Sequence, residues 1–104
     1  MDAVSIAHEA KQLLAEAFGP RLRGVVLHGS QARGGASADS DIDLLVLLDG
    51  PIDVCDDLGT IVHALYDLET RCGCWLDAQP VAPEEFEQAE YGACRFAREE
   101  GVAL

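Results

Sequence analysis

Apolar residues recur along the 104-residue chain in two rhythms, and these divide it into elements. Between Val4 and Phe18 they fall at Ile6, Ala10, Leu13, Leu14, Ala17 and Phe18, the three-and-four spacing that gives a helix one buried stripe. Gly19-Pro20 stops that helix. Gly24 to Leu27 (GVVL) is a short apolar run between turn formers, as expected of a strand. His28 to Ser40 (HGSQARGGASADS) is rich in Gly, Ala and Ser, and reads as a loop with one helical turn around Gln31 to Arg33. Asp41 to Leu48 (DIDLLVLL) is a second strand, closed by Asp49-Gly50-Pro51. Its second half is apolar at every position, so both of its faces are expected to be covered.

From Asp53 to Cys72 the helical period returns at Val54, Leu58, Ile61, Val62, Leu65 and Leu68, with Gly73 placed to cap the end. Trp75 to Val81 reads as a third strand. Pro83 opens a last helix, with Glu84 and Glu85 where the helix dipole favours acids, and Phe86, Ala89, Ala93, Phe96 and Ala97 form its stripe up to Gly101. No repeat or composition break divides the chain. The order helix, strand, loop, strand, helix, strand, helix predicts one α/β (α+β) domain over residues 1–104, a three-stranded mixed sheet flanked by helices.

Composition narrows the function classes. Forty-nine per cent of the residues are hydrophobic, enough for a core, and 7 basic side chains stand against 19 acidic ones for a formal charge of −12. Such a charge repels phosphate backbones and anionic lipid, so direct binding to nucleic acid or membrane is not expected. An anionic ligand then needs a metal or local donors, and Lys11 is the only lysine. No run approaches a membrane span and the N-terminus lacks a basic segment followed by an apolar one, so a cytoplasmic protein is expected. Cys55, Cys72, Cys74 and Cys94 have neither disulfide-scaffold density nor paired zinc spacing, and His8, His28 and His63 form no matching cluster. His63 sits among apolar neighbours and reads as structural, like Tyr66 and Tyr91, while His28 reads as packed under the loop.

The informative feature is Gly29-Ser30, ten residues, then Asp41-Ile42-Asp43. In a strand, residues two apart share a face, so Asp41 and Asp43 present two carboxylates side by side. Like charges so placed repel, and a divalent cation with a taste for hard oxygen ligands, Mg²⁺, is the common remedy. An isolated DxD is more often a pair of solvated acids. Here the upstream glycine lets backbone approach a ligand, the serine offers a hydroxyl and an amide to phosphate oxygens, and Arg33 adds a cation. Together they describe a nucleoside triphosphate site. The P-loop and dinucleotide patterns, GxxxxGK[ST] and GxGxxG, are absent.

Leu27-His28-Gly29-Ser30-Gln31-Ala32-Arg33-Gly34, followed by Ser40-Asp41-Ile42-Asp43-Leu44-Leu45-Val46, resembles the signature of the minimal nucleotidyltransferases (MNT family) of the DNA polymerase β superfamily. Its spacing is that of MNT-type antitoxins that pair with HEPN toxins. The signature spans about a fifth of the chain, and the element order agrees with the family from end to end. The resemblance implies a polymerase β-type fold and a third carboxylate on a neighbouring strand, for which Asp77 is the one acid available in the third strand.

It further implies transfer of AMP from ATP to an acceptor hydroxyl, with loss of pyrophosphate. Asp41 and Asp43 would hold two Mg²⁺ ions, Asp77 the ion that activates the acceptor, and Gly29, Ser30 and Arg33 the β and γ phosphates. Larger relatives hold the acceptor on a second domain, for which this chain has no residues. The acceptor site is therefore expected from a partner or another subunit. The partner most in keeping with the resemblance is a HEPN ribonuclease, modified on a tyrosine. A module that blocks its partner sterically, or a small-molecule transferase of the aminoglycoside kind, are the alternatives.

Overall fold

The computed structural model describes residues 2–28, 42–88 and 101–104. Helix α1 (Ala3–Phe18) starts where the Asp2 carboxylate accepts the Ser5 N–H at 2.8 Å, and ends at Gly19, whose φ of 60° suits glycine. One turn of 3-10 helix (Gly19–Arg21) leads into β1 (Leu22–His28), and β2 spans Ile42–Leu48. Helix α2 (Val54–Cys72) is capped by the Asp53 carboxylate, which accepts the Asp56 N–H at 3.1 Å, and by Gly73 in the left-handed conformation. Strand β3 (Leu76–Val81) and the short α3 (Pro83–Gln88) follow, and β4 is Val102–Ala103.

The sheet order is β3-β2-β1-β4. Strands β1 and β2 are antiparallel, whereas β2 and β3 are parallel with α2 as their crossover. Among the described residues the sheet therefore has four strands where the sequence predicts three. Val102 and Ala103 pair with Leu27 and Val26, and the Leu104 N–H donates to the Val25 carbonyl at 2.9 Å. Two residues carry no readable period, so this strand exists through its tertiary partner alone. The last predicted helix is seen as α3, and its continuation through residues 89–100 lies outside the described residues.

Helices α1 and α2 pack together on one face of the sheet. Ile6, Ala10 and Leu14 of α1 and Ile61, Leu65 and Leu68 of α2 meet Val25, Leu27, Ile42, Leu44, Val46 and Leu48 of the sheet in the main core. Each large side chain so buried contributes about 1.5–3 kcal/mol relative to exposure. The alternate strand residues Val26, Leu45 and Val81 form a smaller cluster on the opposite face, with Leu47 and Phe86 packed against it. This covers the apolar half of β2 on both sides, as its pattern predicts.

The inner stripe of α2 differs from expectation. Val54 and Val62 face outward, as do His63 and Tyr66, while Asp57 occupies an inner position and is only 5% exposed. Arg21 explains this, since its guanidinium grips the Asp57 carboxylate through two bonds of 3.0 and 3.1 Å. The same guanidinium donates to the Asp49 carbonyl, and the Asp53 N–H donates to Asp57 at 3.2 Å. Hydrogen bonding by Arg21 holds the Asp57 carboxyl below the usual carboxylate range against the opposing effect of burial. The pair pins the start of α2 to the junction before β1. No helix among the described residues is long and apolar enough to cross a membrane.

Candidate active site

Three adjacent strands bring their polar ends to one edge of the sheet. Because β1 runs antiparallel to β2, and β2 parallel to β3, the end of β1 lies beside the starts of β2 and β3. His28 is the Cα partner of Asp43 across the first pair, and Asp43 is the partner of Asp77 across the second. Directly paired residues share a face, so the three form a row across strands spaced about 4.8 Å apart. Their face is the one opposite α1 and α2, because the next row inward on it, Val26, Leu45 and Gln79, includes two members of the smaller cluster.

The three positions differ in access. Asp43 and His28 are half-buried, whereas Asp77 is exposed. The Gln79 amide donates to Asp77 Oδ1 at 2.9 Å, which orients the carboxylate and leaves its second oxygen for another partner. Gln79 lies two residues beyond Asp77 on the same strand and hence on the same face. That period-two relation was available in the sequence, but an amide carries no signal of its own. His28 stands across from Asp43, and the loop it is expected to pack under lies outside the described residues.

Of the expected site residues, the structure brings together Asp43 and Asp77. Asp41, Gly29, Ser30 and Arg33 lie outside the described residues. Two carboxylates at adjacent register positions repel one another unless a cation stands between them. Hard oxygen donors in that number suit Mg²⁺, which keeps several waters and completes its shell with one or two carboxylates and substrate phosphates. Among the described residues no group of three or more His, Cys, Asp or Glu side chains is placed to hold a metal ion. The described part of the site is thus a two-carboxylate platform that fits Mg²⁺ held jointly with a phosphate ligand. Next to it on the same face lie the apolar Val26 and Leu45.

Comparison with known proteins bears on the fold and the family. Residues 8–100 match the family model described as the nucleotidyltransferase domain. A comparison with curated proteins gives no significant match. Among solved structures, a nucleotidyltransferase candidate from Sulfolobus solfataricus superposes with a TM-score of 0.65 at 21% identity, covering 97% of this chain and 80% of that one. A chain of a toxin–antitoxin complex with AMP-PNP gives 0.63 at 20% identity, covering 91% and 69%. A chain of a complex between a tri-AMPylated Shewanella oneidensis HEPN toxin and an MNT antitoxin gives 0.62 at 18% identity, covering 97% and 70%. At such identities the superpositions speak for the fold, the polymerase β-type nucleotidyltransferase fold. With residues 8–100 of its 104 matched by the family model, the chain belongs to the nucleotidyltransferase domain family.

Proposed function

We propose that this nucleotidyltransferase moves AMP from ATP to a hydroxyl of a partner protein in a Mg²⁺-dependent reaction, and that it does so as the antitoxin of a HEPN-type ribonuclease. The observation that carries the reading is the register pairing of Asp43 with Asp77 on the sheet face opposite α1 and α2. In this account Asp43 and Asp77, with Asp41, hold the metal, and Gly29, Ser30 and Arg33 hold the β and γ phosphates. Bound Mg²⁺ supplies charge stabilisation to the attacking and departing oxygens at phosphorus.

The chain's own groups divide the remaining work. Asp43 is half-buried in the middle of the row, where strand pairing on both sides fixes its position. Asp77 lies on the solvent side, where an acceptor hydroxyl arrives, and Gln79 sets its orientation. The hydroxyl oxygen attacks the α-phosphorus, its proton passes to solvent or a carboxylate, and pyrophosphate leaves.

A protein acceptor is supported by the solved structures that share the fold, one a toxin–antitoxin complex with AMP-PNP and another containing a tri-AMPylated HEPN toxin. The formal charge of −12 disfavours a nucleic-acid acceptor. The test is to incubate the protein with labelled ATP, Mg²⁺ and the product of the adjacent gene. Label on that product supports the reading. A tight complex without label replaces it with steric blocking, and label on an aminoglycoside without any partner replaces it with small-molecule transfer.

A further inference from the structure

Six large apolar side chains stand exposed among the described residues, and four of them share one surface. Val54 (60% exposed), Val62 (54%) and Tyr66 (70%) lie along the outer face of α2, and Trp75 (74%) follows in the turn before β3. Half-buried Leu58 completes a row four residues apart, Val54, Leu58, Val62 and Tyr66, which forms a ridge. Beside it runs the lower row Cys55, Gly59 and His63. The depression between them continues past Val62 and Tyr66 to Gly73 and Trp75.

Gly59 sharpens the picture. Glycine is a poor residue for a helix interior, and a Cβ added at this position would meet nothing within 4 Å. Among the described residues no contact requires its smallness, whereas a second backbone approaching from outside would. A ridge beside a groove at four-residue spacing is the surface that accepts another helix.

Charge selects the occupant. Glu16, Asp56 and Glu69 border the depressions, and the exposed Asp67 adds to them. Arg71 is the only Lys or Arg of α2, and it is held by Glu9 and Asp67. A second copy of this chain on the same face would set these acids against their equivalents, in a molecule already carrying −12. We propose that the outer face of α2, from Val54 through Gly59 and Tyr66 to Trp75, docks an amphipathic helix of a partner protein whose apolar stripe is flanked by Lys and Arg.

Placement gives the surface a use. The Trp75 carbonyl accepts the Ile42 N–H at 2.9 Å, so this end of the trough lies at the sheet edge that carries Asp43 and Asp77. A helix seated along α2 therefore ends near the sheet edge that carries the site, on the face opposite its carboxylates. The docking stands whatever reaction Asp43 and Asp77 perform.

Trp75 is the only tryptophan, so incorporation of 5-fluorotryptophan gives a single ¹⁹F resonance on the proposed surface. The probe is a helix-forming peptide with leucines at i, i+3, i+4 and i+7 and flanking lysines, compared with its glutamate-flanked twin. The lysine peptide should move the resonance to saturation, and the twin should bind at least about tenfold more weakly. Gly59→Arg should weaken the lysine peptide at least about tenfold without lowering Tm, because arginine is the better helix former. Val62→Glu, at an exposed ridge position, should weaken it likewise. An unmoved resonance, equal binding of the two peptides, or undiminished binding by both variants overturns the proposal. So does a resonance that moves with the protein's own concentration alone, which assigns the face to a second copy. AMP transfer is not read here, so failure leaves the proposed reaction to its own assay.

Discussion

Asp43 and Asp77 are direct partners across the parallel β2–β3 pair, although 33 residues separate them in the chain and α2 lies between. Their closeness is a product of topology. Parallel pairing requires a crossover, and the helix that supplies it packs on the opposite face, so α2 does not cover the paired carboxylates.

Replacing either by asparagine removes a charge without removing a shape. Both Asp43→Asn and Asp77→Asn should fold with unchanged far-UV circular dichroism, since neither side chain belongs to a core cluster. Losing the hydrogen-bond partner of a metal ligand typically costs about 10–100-fold in activity or metal affinity, and losing the ligand should cost at least that. Single-turnover transfer at saturating ATP measures it.

Gln79→Leu keeps the bulk beside Asp77 and deletes the amide that donates to it at 2.9 Å. The expected result is a loss within about 10–100-fold, with a raised Mg²⁺ requirement and little change in the KM for ATP. Titrating Mg²⁺ separates this from a merely structural effect, which would lower activity equally at every Mg²⁺ concentration.

Acid should destabilise the fold through Asp57. Its folded carboxyl lies below the ordinary 3.8 because Arg21 hydrogen-bonds the charged form. The unfolded chain therefore binds the extra proton first. The pair's stabilisation is fully present above the unfolded value and is lost as pH falls below it, through the folded value. Asp57→Asn should lower Tm by about 5–10 °C at neutral pH, where the charged bonds are lost. The variant should also show a shallower fall of Tm between pH 5 and pH 2, measured by thermal melts across that range.

The long elements were legible because their apolar spacing is itself the cause of their burial. Both long helices and the second strand lie within a residue or two of where that spacing puts them, among the described positions. Strand β1 is longer at both ends than GVVL suggests, because pairing with β2 recruits Leu22 and His28, which have no pattern of their own, with Arg23 at the register shift between Leu22 and Gly24. Val54 and Val62 misled for a different reason. Periodicity cannot tell an inner valine from one on an outer face, and the inner place near the helix start is taken by Asp57, whose partner Arg21 lies 36 residues away. At the site, Asp77 was identified by resemblance alone, since an acid in a strand is ordinarily solvated. Its pairing with Asp43 is a tertiary fact. Gln79 was invisible because its role exists only once Asp77 has one.

The most direct measurement is the intact mass of a HEPN-type partner after incubation with ATP, Mg²⁺ and either the parent protein or the Asp43→Asn, Asp77→Asn double variant. The parent protein should raise the partner's mass by whole AMP units, with no increase when Mg²⁺ is chelated, and the folded double variant should leave the mass unchanged. Equal modification by the double variant would contradict the assignment of Asp43 and Asp77 as the residues that carry the transfer.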